Sequence, residues 1–139
     1  MKLTCHQRDL AGAVSTVERA VATRETHPLL SGIHLEAADT RLRLSATDLE
    51  LGITCHIGAE VETPGSVVLD ARTFSQMVRK LPDDEVSLTR LEDGRLQIRS
   101  GRVQYELRTM RSEEYPALPV LSGGVRVRVP EALFKTMIR

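Results

Sequence analysis

The sequence predicts an α+β fold in which one unit is used twice: a short strand, an amphipathic helix, then three antiparallel strands. Three observations predict it. First, a strand–helix segment recurs. Val67-Val68-Leu69, Asp70 and the run Ala71 to Arg79 are matched near the end by Val127-Arg128-Val129, Pro130 and Glu131 to Arg139. Phe74 matches Phe134, Met77 matches Met137, Val78 matches Ile138 and Arg79 matches Arg139. Lys2-Leu3-Thr4-Cys5, followed by Leu10, Ala13 and Val14, is a weaker copy of the same pattern. Self-similarity of this kind marks a repeat architecture. Second, each helical stretch leads into segments that alternate apolar and polar residues, as half-buried strands do. Third, turn signals at Asp39-Thr40, Pro64-Gly65, Glu92-Asp93-Gly94 and Ser100-Gly101 punctuate those segments. Two helices against antiparallel sheet is a standard layered arrangement.

In chain order, Leu3 to Cys5 reads as a strand and about Arg8 to Val21 as a helix. Leu10, Ala13, Val14, Val17 and Val21 recur at the three-and-four spacing of one buried face. Ala22 to Pro28 is a polar connection. Ile33-His34-Leu35-Glu36-Ala37, then Leu42, Leu44 and Ala46, then Leu51, Ile53, Cys55 and Ile57 give three strands. Ser66 to Leu69 opens the second unit, and Ala71 to Leu81 is its helix, with Phe74, Met77, Val78 and Leu81 buried. Pro82-Asp83-Asp84 is a loop. Val86 to Leu91 and Leu96 to Ile98 flank a hairpin turn, and Val103 to Leu107 is the last alternating strand. Tyr115-Pro116-Ala117-Leu118-Pro119 cannot continue regular structure, and Ser122-Gly123-Gly124 is a flexible stretch. The first domain is therefore expected at 1–121, with 122–139 a linker and the start of a second. The third strand–helix copy has no following sheet to cover its apolar face, which predicts a longer protein.

Composition sets the kind of core. Of 139 residues, 41% are hydrophobic but only 3% aromatic, with no Trp, so the interior must be built from Leu, Val, Ile and Ala. Lys and Arg total 19 and Asp and Glu 19, so any electrostatic partner must be sought in where charges sit. Two cysteines, Cys5 and Cys55, are too few for a disulfide framework and fit a reducing cytoplasm. Met1-Lys2 leads into polar residues rather than the apolar run of a signal peptide, and no stretch is long enough to span a bilayer.

The charges are unevenly placed. On the second helix Arg72, Ser75, Gln76 and Arg79 form a stripe opposite the apolar face, Lys80 adjoins it, and no acid lies between Ala71 and Leu81. On the first, Ser15, Thr16 and Arg19 point outward, Arg24 follows the helix, and Glu18 offsets part of the charge. Acids such as Glu36, Asp39, Asp48, Glu50, Glu60 and Glu62 concentrate on strands and loops. The expected polarity is a basic helix layer against an acidic sheet edge. Clustered Arg and Lys attract phosphate without reading sequence; a merely solvated helix face is the other reading of the same stripe.

Chemistry is harder to find. Thr-Cys-His occurs at Thr4-Cys5-His6 and Thr54-Cys55-His56. Adjacent strand residues point to opposite faces, so neither pair can easily meet one zinc ion, and buried cysteines are the better reading. Asp48 and Glu50 in Thr47-Asp48-Leu49-Glu50 fit a strand connection better than a carboxylate pair. Arg99-Ser100-Gly101-Arg102 lacks the glycine pattern and the following helix of a phosphate loop. No histidine neighbours a plausible nucleophile in sequence. A binding or structural role is favoured over catalysis, and no cofactor is expected.

Taken together, Met1-Lys2-Leu3-Thr4, Pro28-Leu29-Leu30, Thr47-Asp48-Leu49-Glu50, Pro64-Gly65, Arg99-Ser100-Gly101-Arg102 with Tyr105 and Leu107, and Tyr115-Pro116-Ala117-Leu118-Pro119 occur in an order and spacing that resembles the N-terminal domain of the bacterial β sliding clamp family. These are the processivity rings of the replicative DNA polymerase, and the resemblance covers essentially the whole chain. It implies two protomers closed head to tail around duplex DNA, helices lining the hole and sheets outside. It implies DNA-facing positions at Arg24 and Arg72, with Arg79 on the same stripe, while Gly12 and Ser15 stand where some relatives carry further polar or basic side chains. It implies a protomer interface at Thr73, Met77, Leu81, Arg95, Arg102, Tyr105 and Leu107. Read from the residues alone, Met77, Leu81 and Leu107 fit the core equally well. Gln104 stands where some relatives have a basic residue, so no salt bridge is expected there. The sites for the clamp loader and DNA polymerases would lie in later domains, absent from this chain. A stand-alone interaction module using a sheet edge is the competing reading.

Overall fold

The computed structural model describes residues 1–23, 27–82 and 84–139. The first unit contains β1 (Lys2–His6), α1 (Gln7–Val17), β2 (Gly32–Ala38), β3 (Arg41–Thr47), β4 (Gly52–Gly58) and β5 (Glu60–Thr63). The second contains β6 (Gly65–Asp70), α2 (Ala71–Arg79), β7 (Glu85–Arg90), β8 (Leu96–Ser100) and β9 (Val103–Leu107). A short α3 (Glu131–Met137) follows.

The units are not two separate sheets. One sheet has the order β5-β1-β7-β8-β9 and the other β4-β3-β2-β6. Each unit therefore lends its first strand to the other unit's sheet: β1 pairs with β7, and β6 pairs with β2. The exchange welds the halves together, because neither sheet is complete without the other half. The unpredicted strand β5 joins the outer side of β1. Its alternation is short and mostly charged, Glu60-Val61-Glu62-Thr63, and only Val61 packs on the core.

Leucines and valines from both sheets and both helices meet in one core cluster, as the aromatic-poor composition requires. Leu10, Val14 and Val17 of α1 meet Phe74 and Val78 of α2, with Leu3, Ile33, Leu35, Leu42, Leu44, Leu69, Val86, Leu88, Leu96 and Ile98 from the strands. Phe74 is fully buried there.

Several predicted boundaries shift for local reasons. The first helix ends at Val17 and tightens into a 3-10 turn, Glu18–Ala20, before Val21 becomes extended; such turns are common at helix ends. The second helix ends at Arg79 rather than Leu81, because Leu81 precedes Pro82, whose ring disfavours helical backbone at the residue before it. Leu51 lies outside β4 and is half exposed, in the turn rather than the predicted strand. Ser75, expected on the solvated stripe, is buried, and Ser15 and Met77 are half-buried. Gly94 has φ of +88° at the β7–β8 hairpin, a backbone that favours glycine. In the third copy the helix forms, but Val127 to Val129 takes no strand. A strand needs a neighbour to satisfy its backbone groups, and Val127, Leu133, Phe134, Met137 and Ile138 are exposed.

Candidate nucleic-acid interface and protomer edge

Each helix is started by a different device. Asp70 caps α2: its carboxylate accepts from the Thr73 amide at 3.0 Å and from the Thr73 hydroxyl at 2.7 Å. That is the usual role of Asp at a helix start. The first helix has His6 at the equivalent place and no side-chain cap. Instead the Gln7 amide donates to the Asp84 carbonyl at 2.6 Å, and Gln7 Nε2 donates to the Val78 carbonyl at 3.0 Å, pinning α1 to α2.

This packing leaves a shallow groove between α2 and the end of α1, lined by Glu18, Val21, Thr23, Arg72, Gln76 and Arg79. Arg72, Gln76 and Arg79 are exposed on α2, as is Lys80 at its C-cap. The two arginines differ. Arg79 Nη2 lies 2.7 Å from Glu18 Oε1, so its charge is already partnered. Among the described residues Arg72 has no such carboxylate. On α1 the exposed residues are Arg8, Asp9, Gly12 and Thr16, and Arg19 is exposed on the 3-10 turn that follows. Arg8, absent from the predicted basic stripe, stands at the position equivalent to Arg72 but beside Asp9. Arg24 lies outside the described residues.

The expected charge polarity is weaker than composition suggested. Sheet acids are matched by sheet cations: Lys2 with Glu62 at 3.1 Å, Arg43 with Glu36 at 3.8 Å, and Arg95 with Glu106 at 2.8 Å. The helix layer is distinguished less by net charge than by the absence of an acid on α2 itself.

The residues expected at a protomer interface fall into three groups. Tyr105 and Leu107 are half-buried on β9, the edge strand of the five-stranded sheet, opposite Ile98 and Leu96 of β8. Met77 is likewise half-buried and, with them, packs on the core from outside. Leu81 is buried within the core. The Thr73 hydroxyl serves the Asp70 cap, and Arg95 is held by Asp93 at 2.6 Å as well as Glu106. The Arg95 hydrogen bonds keep the Asp93 carboxyl below its ordinary range, and Asp93 in turn raises Arg95. Arg102 is exposed beside Gly101 at the β8–β9 turn. Arg99 donates to Gln104 at 2.9 Å, so the position lacking a basic residue is occupied by an internal contact.

The two Thr-Cys-His tripeptides part company. Cys5 is buried and its thiol is pushed up to about 12, by burial first and by the negative charge of Asp9 second. Cys55 is half-buried and free. Asp48 is a turn residue, as expected: its carboxylate accepts from the Glu50 and Leu51 amides at 2.9 and 2.7 Å, which lowers its pKa.

Residues 1–119 match the family model for the DNA polymerase III beta subunit, N-terminal domain. The chain is 37% identical over its whole length to the beta sliding clamp of Synechocystis sp., covering 38% of that protein. It is 34% identical to that of Bacillus subtilis, covering 39%. The crystal structure of the DNA polymerase sliding clamp from Bacillus subtilis superposes with a TM-score of 0.95 at 33% identity, over 99% of this chain and 38% of that one. The sliding clamp from Caulobacter crescentus gives 0.82 at 38% identity, over 86% of this chain and 33% of that one. The chain thus spans somewhat over a third of the length of these relatives.

Proposed function

We propose that this chain, which belongs to the DNA polymerase III beta-subunit family, supplies the first domain of a sliding clamp, a non-catalytic ring that keeps a replicative polymerase on duplex DNA in the bacterial cytoplasm. Residues 1–121 would be that domain and 122–139 the linker and opening of the second. The observation that carries the reading is the exposed face of α2, where Arg72, Gln76 and Lys80 stand together with no acid on the helix. A ring held on by topology needs contacts that attract phosphate without fixing a register, and long basic side chains with polar neighbours meet that need. Arg24 and Arg72 are the proposed DNA contacts, with Arg79 available only when Glu18 releases it.

The β9 edge is the proposed closure. Its unpaired strand side and the half-buried Met77, Tyr105 and Leu107 offer an apolar strip beside Arg102, suited to a partner with an acidic rim. Leu81 supports that strip from the core rather than touching a partner. The clamp loader and polymerases would bind later domains.

Fluorescence anisotropy with duplex DNA tests this. A single domain cannot encircle DNA, so the 139-residue chain should bind weakly and lose binding steeply as salt rises. Arg72→Ala should reduce the slope of log K against log salt by about one. Tight, salt-resistant binding, or a slope indifferent to Arg72, would overturn the assignment.

A further inference from the structure

The four-stranded sheet packs one face on the main core, and part of its other face is covered as well. On β6, Val67 and Leu69 face the main core, while Val68 points the other way into a small second cluster with Leu29 and Tyr115, against which Met110 packs. What closes that second face is the segment after β9. It is tied down at successive points. The Met110 amide donates to the Val68 carbonyl at 2.8 Å, and the Ser66 hydroxyl to Ser112 Oγ at 2.8 Å. The Tyr115 ring stacks on His34 with centroids 5.1 Å apart and planes at 23°. The Tyr115 oxygen accepts from the buried Thr47 amide at 3.1 Å. Beyond it Leu118 lies against Gly52, so closely that a Cβ there would sit 2.7 Å from Leu118 Cδ2. Thr47 and Gly52 are register partners at the end of the β3–β4 hairpin. Tyr115 and Leu118 thus grip the two strands of one hairpin end. That end is itself braced, with Thr47 Oγ1 donating to the Leu51 carbonyl at 2.8 Å and accepting from the Leu49 amide at 3.0 Å.

We propose that residues 110–118 form a strap that opens and closes on the outer face of the four-stranded sheet as a unit of its own. When closed, it fixes the point at which the chain leaves the domain. Three features make it separable from the core. Its contacts are few and mostly polar, its apolar cluster is small, and that cluster lies on the opposite side of the sheet from Phe74 and its neighbours. Segments with few buried contacts open at lower free energy than the strands they lie on. Nothing in this inference depends on the clamp assignment, since it concerns how the domain holds its own exit.

Amide hydrogen exchange on the 139-residue chain tests it. The Thr47 and Met110 amides report strap closure, and the amides of the β7–β8 ladder report the core. Tyr115→Ala should accelerate the two strap reporters by about tenfold or more and leave the ladder within about twofold. Gly52→Ala is the milder second variant. Its methyl would first meet the far end of the Leu118 side chain, so it should accelerate Thr47 with the ladder again unchanged. If the ladder accelerates in step with the strap reporters, the segment is part of the global fold. If Thr47 and Met110 keep their protection in both variants, the ring and leucine do not hold it. Either result overturns the proposal.

Discussion

The two helices occupy equivalent places in the repeat, yet they do different work. Leu10 and Phe74 correspond, as do Val14 and Val78, and all four are fully buried. Outside that shared face the copies diverge. Where α1 has Ala13, buried, α2 has Met77, half-buried and reaching the outer margin of the core. Where α1 has Arg8, Asp9 and Gly12 exposed, α2 has Arg72 and Gln76 with no acid within the helix itself. The repeat preserves what the core demands and leaves the solvent-facing residues free to specialise. On these grounds α2 is the helix proposed to meet nucleic acid and a partner edge, while both helices complete the core. The largest test of that division is mechanical. Phe74→Ala should cost about 3–5 kcal/mol, at or above the cost of Leu10→Ala at the corresponding position, about 2–5 kcal/mol. Denaturant unfolding of both variants would check the order, and a near-zero cost at either position would show that the two copies do not share the core face.

The next difference lies just before each helix, where Cys5 corresponds to Leu69. Both are buried in the same cluster, but only Cys5 carries a titratable proton. Its thiol is raised from 9.0 to about 12 in the folded protein, chiefly by burial. The folded chain therefore keeps a proton that the unfolded chain releases above 9.0. Stability from this group is complete below that pH and is lost as pH climbs toward 12, at up to about 1.4 kcal/mol per pH unit. Other alkaline groups titrate in parent and variant alike, so the difference isolates the thiol. Cys5→Ala should flatten the stability profile above pH 9, and parallel profiles would show that the thiol meets water in the native state.

The caps give a smaller contrast. Asp70→Ala removes the carboxylate that accepts from Thr73 and should cost about 1 kcal/mol. His6→Ala at the corresponding place should cost much less, because the Gln7 amide is satisfied by the Asp84 backbone instead. Equal losses in thermal unfolding would mean that His6 contributes something its geometry does not show.

Most of the architecture was legible because it rests on local signals. Alternation at Leu42, Leu44 and Ala46, helical spacing at Leu10, Ala13 and Val14, and turn residues at Gly94 and Gly101 are each readable within a few positions. The strand exchange was not, because sheet order is decided by long-range pairing that leaves no mark on β1 or β6 alone. The strap was missed for a related reason. Tyr115-Pro116-Ala117-Leu118-Pro119 reads as irregular, and only the folded chain brings Tyr115 onto His34 and Thr47. Site residues were legible in kind but not in state. Sequence placed Arg72 and Arg79 on one stripe, and only the packing of the two helical segments put Glu18 on Arg79 and, among the described residues, left Arg72 without a carboxylate. Sequence likewise left Leu81 open between core and interface, and in the folded chain it is buried in the core cluster.

That last pair gives the subtlest way to sharpen the comparison. Arg79 and Glu18 are 2.7 Å apart, with side chains 58% and 27% exposed, so the pair is largely solvated. Exposed pairs of this kind contribute at most about 1 kcal/mol to stability. Its effect on binding should be clearer than its effect on folding. While Glu18 holds the guanidinium, the turn after α1 neutralises part of the basic face that α2 presents. Glu18→Gln keeps the size and a hydrogen-bonding group but removes the opposing charge. The unfolding midpoint should scarcely move, whereas duplex DNA should bind more tightly at low salt, with the salt slope steeper by up to about one. Glu18→Gln combined with Arg79→Ala should return to the weak binding of Arg79→Ala alone, because the gain runs through that side chain. A gain that survives the loss of Arg79 would instead make Glu18 a general repulsive charge beside the groove, acting on phosphate directly and not by occupying its neighbour.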